Sequence, residues 1–179
     1  MKKLLMILPL ALILCFMVGC QDKEALAELE AMKAQAEVEE QNMEVVRKWL
    51  KAADEGNIEG AMELFAPNFL WYYPSNNPAP MSTEESREHI VMLHKAFTEW
   101  VEKIEEIMAV GDKVITRAIA TTTQTGKFLG IPATGKKVEY SLIVIWRLED
   151  GKIVEMREEA DMFGLMQQLG MELKPKEEK

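Results

Sequence analysis

The sequence predicts an α+β domain, and three observations carry that expectation. Apolar spacing is mostly helical up to Trp100 and becomes strand-like alternation after it. Two tight-turn pairs, Gly111-Asp112 and Asp150-Gly151, separate alternating segments as antiparallel hairpins require. Helices gathered mostly ahead of strands give α+β, not the βαβ repeat of a parallel sheet.

From Asn42 to Glu55, Val45, Val46, Trp49, Leu50 and Ala53 form the inward stripe of an amphipathic helix, stopped at Gly56. A short helix is expected over Ile58–Phe65, closed by Pro67. Phe69–Tyr73 reads as an aromatic strand, ended by the Pro- and Asn-rich loop 74–80. Ser82 with Glu85 makes a capping box, which launches a helix to about Thr98. Four strands follow over Val101–Val110, Lys113–Thr123, Val138–Leu148 and Ile153–Ala160. Met162–Leu169 is a last short helix ended by Gly170, and residues 173–179 form a polar tail.

The chain has 179 residues, of which 48% are hydrophobic and 28% charged, with 21 Lys+Arg against 30 Asp+Glu. A net charge of −9 argues against nucleic acid, which is bound by clustered cations. Two cysteines and two histidines are too few for a disulfide framework or a Cys- or His-rich metal centre. No Gly-rich phosphate loop, G-x-S-x-G elbow or H-E-x-x-H pair is present. We therefore expect no metal centre. His89 and His94 are five apart and do not share a face as i, i+4 ligands would; a surface and a core-edge histidine are expected.

The first residues stand apart from the rest. Lys2 and Lys3 precede an apolar run, Leu4–Val18, that is shorter than the ~20 residues a spanning helix needs but suits a signal-peptide core. Its end, Met17-Val18-Gly19-Cys20, resembles a bacterial lipobox, in which the cysteine is lipidated after cleavage. An ordinary secretory signal with an incidental cysteine is the alternative. The lipobox reading gives a signal over 1–19, a lipidated Cys20 with a helical stalk over 20–41, and a protein held outside the cytoplasm on a bacterial membrane. The stalk is rich in Ala and Glu, with helically spaced Leu29, Met32 and Ala36 and a seam broken at Glu39.

Over 42–172, specific residues choose among α+β folds. Thr125-Gly126-Lys127-Phe128-Leu129-Gly130-Ile131-Pro132-Ala133-Thr134-Gly135-Lys136 closely resembles the long strand-to-strand loop of the SnoaL-like polyketide cyclases, also called ester cyclases. Glu149-Asp150-Gly151-Lys152-Ile153-Val154-Glu155, then Asp161, then Gly164-Leu165-Met166-Gln167-Gln168-Leu169-Gly170 resembles the carboxy-terminal signature of that family. The resemblance implies the nuclear-transport-factor-2-like cone, three helices wrapped on a curved antiparallel sheet around an internal pocket. It also implies a small-molecule ligand, ring closure by intramolecular aldol condensation without cofactor, and homodimers through the open sheet face.

Such chemistry needs a base for a proton alpha to a carbonyl and a donor for the oxyanion. Asp161 matches the family's acid/base position, yet it also stands where an N-cap aspartate belongs, and a carboxylate committed to a cap is a poor base. Many relatives have histidines where Gln124 and Tyr72 stand; both can hydrogen-bond a ligand, but neither is a ready base. Trp71 is a further binding candidate beside Tyr72. Alternation places Arg157, Glu159 and Asp161 on one face of the last strand, and Val154, Met156, Glu158 and Ala160 on the other. Ile115, Arg117, Ile119, Thr121 and Thr123 share a face of the third strand. Arg117 and Arg157 are candidates to orient a carboxylate or enolate, the alternative being an exposed charge ladder. Val138, Tyr140, Leu142, Val144 and Trp146 form an apolar stripe read as core or dimer face.

Metabolic labelling with a fatty acid tests the anchor. Label is expected on the parent protein and absent from Cys20→Ala; equal labelling of both would end the lipoprotein reading.

Overall fold

A computed structural model describes the backbone of residues 4–172 and 174, with side chains from Lys23 onward. The signal pattern of 1–19 and the lipid site at Cys20 concern side chains outside the described residues, as does the tail 173–179 apart from Lys174. The elements are α1 (Leu4–Asp54), α2 (Ile58–Met62), β1 (Phe65–Tyr72), α3 (Thr83–Ala96), β2 (Phe97–Val110), β3 (Lys113–Gln124), β4 (Lys137–Glu149), β5 (Lys152–Ala160) and α4 (Met162–Gln168). The chain divides into two compact units, Met1–Val38 and Glu39–Lys179. In the first, every side chain from Lys23 to Val38 is exposed. Among the described residues no helix is long and apolar enough to cross a membrane.

The second unit is built on one curved, unclosed sheet in the order β1-β5-β4-β3-β2. Three neighbouring pairs are antiparallel, as the turn residues require, but β1 pairs with β5 in parallel. The expected all-antiparallel sheet is corrected at that edge. A parallel neighbour needs a long crossover, and α3 with β2–β4 supplies it between β1 and β5. The expected helix over 58–65 is shorter, because Phe65 and Ala66 enter the sheet edge and are buried there.

The stripe of α1 packs against the sheet through Val46, Trp49 and Leu50, all buried. Trp49 meets Trp146 edge-on at 5.1 Å between ring centroids and stacks on Phe65 at 5.8 Å. Trp146 is fully buried, and its indole N–H donates to Thr116 Oγ1 at 3.0 Å, so no polar atom of that ring is stranded. Glu39, which breaks the heptad seam, has a job in the fold. Its carboxylate accepts the Gly111 N–H at 2.8 Å, and Asn42 Nδ2 donates to the Gly111 carbonyl at 3.1 Å, which ties the helix to the β2–β3 turn.

The loop 125–136 is pinned from inside. Gln124 is fully buried: its Nε2 donates to the carbonyls of Gly126 and Pro132 at 3.2 Å each, and its Oε1 accepts from Thr134 N and Oγ1. Thr125 and Gly126 donate their backbone N–H groups to the Ala96 carbonyl. Only glycine allows that approach, because a Cβ on Gly126 would lie 2.2 Å from the Lys95 carbonyl oxygen. Gly126→Ala is therefore expected to cost about 1–3 kcal/mol by overpacking against backbone, read from urea unfolding midpoints. A midpoint equal to the parent's would contradict the packing described.

Candidate functional site

The inner face of the sheet, the end of α1, α3 and α4 enclose a cavity with an empty volume of about 820 Å³, its open mouth included. Aromatic rings stand around the wall: Trp49 from α1, Trp71 and Tyr73 from β1 and its end, Phe97 and Trp100 from β2, Phe128 from the long loop, and Tyr140 and Trp146 from β4. Ile90, Leu93, Met156, Met162 and Leu165 supply aliphatic and thioether surface. α4 is held over this space by Gln168, which exchanges two hydrogen bonds with the Glu139 backbone, at 2.9 Å as acceptor and 2.6 Å as donor.

Two carboxylates, Glu102 and Glu158, stand in this apolar wall. A pleated strand without irregularity would continue the side of Phe97 through Glu99 and Val101, leaving Glu102 outside. β2 instead bulges between Thr98 and Val101, with Glu99 at φ 56°, so Trp100 and Glu102 turn inward. Thr122 Oγ1 donates to the Thr98 carbonyl at 2.9 Å and Thr123 Oγ1 to Glu99 Oε2 at 3.0 Å, which fastens the bulge to β3. Asp54, at the end of α1, accepts the Glu102 N–H at 3.1 and 3.2 Å. Glu158 needs no such device, since it follows Met156 on the inner face of β5.

Burial pushes the Glu102 carboxyl up to about 8, with the charges of Glu158 and Asp54 adding to the effect. Its Oε1 is buried with no hydrogen-bond partner. Burial likewise raises Glu158 to about 7, opposed by the hydrogen bond that Trp71 Nε1 donates to Glu158 Oε2 at 3.1 Å and assisted by the Glu159 charge. Tyr73 and Tyr140 are held protonated, first by burial and then by these acids. Burial lowers His89, which keeps that imidazole neutral, and its ring stands edge-on to Trp71 at 5.2 Å. Both histidines line the cavity, which corrects the expected surface histidine. On α3 the sequence positions 89, 93, 90 and 94 fall within an arc of roughly 140°, and the cavity spans that arc.

Of the residues expected at a site, Trp71 lines the cavity and the others do not. Tyr72 and Arg157 are paired on the outer face, the guanidinium 3.9 Å from the ring centroid; Arg157 also donates to Glu155 at 2.8 Å and to the Ser75 carbonyl at 3.1 Å. Arg117 bonds Glu106 at 3.0 Å on the outer face of β3. The inner face of that strand is Val114, Thr116, Ala118, Ala120, Thr122 and Gln124. Small residues occupy the concave side because Trp49 and Trp146 fill it, so the bulkier Ile115 and Ile119 point outward. Gln124 spends its amide on the loop. Asp161 is exposed, and its Oδ1 accepts the Gly164 N–H at 2.8 Å as the N-cap of α4. The unanticipated residues are Glu102, Tyr73, Tyr140 and the histidines. Two cavity residues carried a visible signal: Glu158, an acid in the apolar face Val154, Met156, Ala160, and Tyr140, a hydroxyl on the apolar stripe of its strand.

A cone of this topology with an internal aromatic pocket defines a class of small-molecule-binding α+β domains. The family model of the SnoaL-like polyketide cyclases matches residues 43–169, and the chain belongs to that family. Among solved structures, AclR from Streptomyces galilaeus, a proposed hydroxylase, is similar at 26% identity and a TM-score of 0.68, covering 76% of this chain and 97% of its own. TsrD from Streptomyces laurentii is similar at 27% identity and TM-score 0.65, over 73% and 95% of the two chains. IdmH from Streptomyces antibioticus, a proposed polyketide cyclase, reaches 25% identity and TM-score 0.64, over 73% and 99%. No curated protein matches this chain.

The two buried acids link stability to pH. Both bind protons more tightly in the folded chain, at about 8 and about 7, than at their ordinary value of 4.5, so between these values the folded state holds more protons. The stability these two acids contribute is greatest near pH 5 and is lost as pH rises to about 8, while buried, neutral His89 opposes that trend only below about its ordinary 6.5. The melting temperature followed by circular dichroism is expected to drop by roughly 5 °C or more between pH 5.5 and pH 9. Glu102→Gln should flatten much of that slope, and a melting temperature that climbs over this range would refute the assignment.

Proposed function

We propose that this chain binds a small apolar or aromatic carbonyl compound in its cone and moves a proton on it by acid–base chemistry, of the cyclase or isomerase kind. One observation carries the reading: two carboxylates of raised proton affinity share a cavity walled by aromatic and aliphatic side chains. Glu158 accepts a hydrogen bond from Trp71, which favours its ionised form and suits it to remove a proton alpha to a carbonyl. Glu102 has no donor at Oε1 and, held protonated by burial, is suited to donate to the developing oxyanion, as are the Tyr73 and Tyr140 hydroxyls. The enolate carbon then attacks a second carbonyl of the same molecule, or is reprotonated at another position. Asp161, which the family resemblance puts forward as acid/base residue, is engaged as a cap, so the role is assigned here to Glu158. Lipid attachment at Cys20 would place this activity on the outer side of a bacterial membrane, with the exposed helix 23–38 as spacer; the signal-like run and its Gly19-Cys20 ending support that placement.

Deuteration of aryl alkyl ketones at the alpha carbon, followed by proton NMR in heavy water, reads the first step directly. Exchange should rise through about pH 7 and decline above about pH 8. Glu158→Gln is expected to slow it by about 100-fold or more while changing ketone affinity by less than about threefold. Tight ketone binding with no exchange in the parent protein would leave a non-catalytic binding module of the cell envelope.

A further inference from the structure

The cavity is acidic as well as aromatic, and its wall offers no fixed positive charge: among the described lining residues there is no Lys or Arg. The titratable groups facing it are Glu102 from β2, Glu158 from β5, Tyr73 beyond β1, Tyr140 from β4, and His89 and His94 from α3. Asp54 stands behind Glu102, and Glu159 beside Glu158 on the outer face. Every charge these neighbours add to the Glu pair is negative, and His89 is kept neutral by its burial.

Two polar atoms in this wall lack partners. Glu102 Oε1 is a buried acceptor without a donor, and Trp49 Nε1 is a buried donor without an acceptor. Glu102 thus has no donor within the protein at Oε1 to favour its ionised form. Beside two acids in a wall without Lys or Arg, that favourable charge is best supplied by an ammonium of the ligand. Trp71, Trp100 and Tyr140 present ring faces and edges around the same space, which suits a cation with an aromatic body.

We infer that the physiological ligand of the cone is a cation, an amine carried on an aromatic or apolar body, held between Glu102 and Glu158. This rests on the cone as a ligand site but not on its catalysis. An anionic ligand, such as a free carboxylate or a phosphate ester, is disfavoured at the same position because it would face two acids and no counter-charge. The chain's net charge of −9 attracts such a cation toward the mouth. Binding favours the ionised form of one acid of the pair, so ammonium binding near pH 7 expels a proton from the protein. In a ligand that also carries the carbonyl, the ammonium would hold one carboxylate in the ionised form a base requires.

Three probes of one size and different charge test this on the full chain: 2-phenylethylamine, 2-phenylethanol and 3-phenylpropanoate. Affinity is read by tryptophan fluorescence, since four tryptophans line the cavity. The amine should bind at least about tenfold more tightly than the alcohol at pH 7.5, and the propanoate should be weakest. Calorimetry in two buffers of different ionisation enthalpy should show proton release with the amine and none with the alcohol. In Glu102→Gln/Glu158→Gln, checked for folding by its melting curve, the amine preference should vanish. The parent series decides the matter alone if the variant does not fold. Equal or tighter binding of the alcohol, no binding of any probe at millimolar concentration, or amine preference surviving in a folded double variant would each overturn the inference. Amine preference without ketone exchange would instead remove the catalytic reading and leave this one standing.

Discussion

Removing two carboxylates from water is the constraint around which the cone is arranged. A carboxyl in an apolar wall is unfavourable when charged, and the fold meets that demand by letting both acids hold their protons near neutrality. Glu158 reaches the cavity by simple alternation and takes one hydrogen bond from Trp71. Glu102 reaches it only through the bulge at Glu99, and that bulge exists because Asp54, Thr122 and Thr123 fasten it from α1 and β3. The same Asp54 contact fixes where α1 ends over the sheet. An interaction needed to aim one side chain thus also sets the position of the helix that closes the core.

The rest of the molecule serves to keep that space closed and shaped. The long loop 125–136 delivers Phe128 to the wall, and it is shaped by Gln124 and by the bare Cα of Gly126 against the Lys95 carbonyl. α4 brings Met162 and Leu165 over the opening, with Asp161 as its cap and Gln168 as its tie to β4. The residues of the two family signatures therefore act here on architecture. Gln124 and Asp161 are spent on backbone groups, and the titratable side chains that face the cavity come from strand and helix positions outside the signature residues, most of them ahead of the first signature.

Much of the fold was legible because it is local. The α3 capping box is present in both directions between Ser82 and Glu85, and the Gly111 and Asp150-Gly151 turns fall where the hairpins turn. Strand alternation was legible as a period but not as a direction: on β3 the face carrying Ile115, Arg117 and Ile119 reads as the more substantial one, and it is the outer face. Period two does not say which side is concave. The rings Trp49 and Trp146 lie on that side, against which the small residues Thr116, Ala118 and Ala120 of β3 are buried.

The sequence by itself determined the order of helices and strands, the hairpin turns and the family, since each follows from residues near one another along the chain or from a contiguous motif. The tertiary structure alone decided which acids face the cavity. Glu102 differs from its exposed neighbours Glu99 and Glu105 in nothing local; a bulge held by residues from two other elements turns it inward. Its raised proton affinity is a property of the surrounding space, assembled from α1, β1, β4, β5 and α3, and no stretch of sequence contains that space.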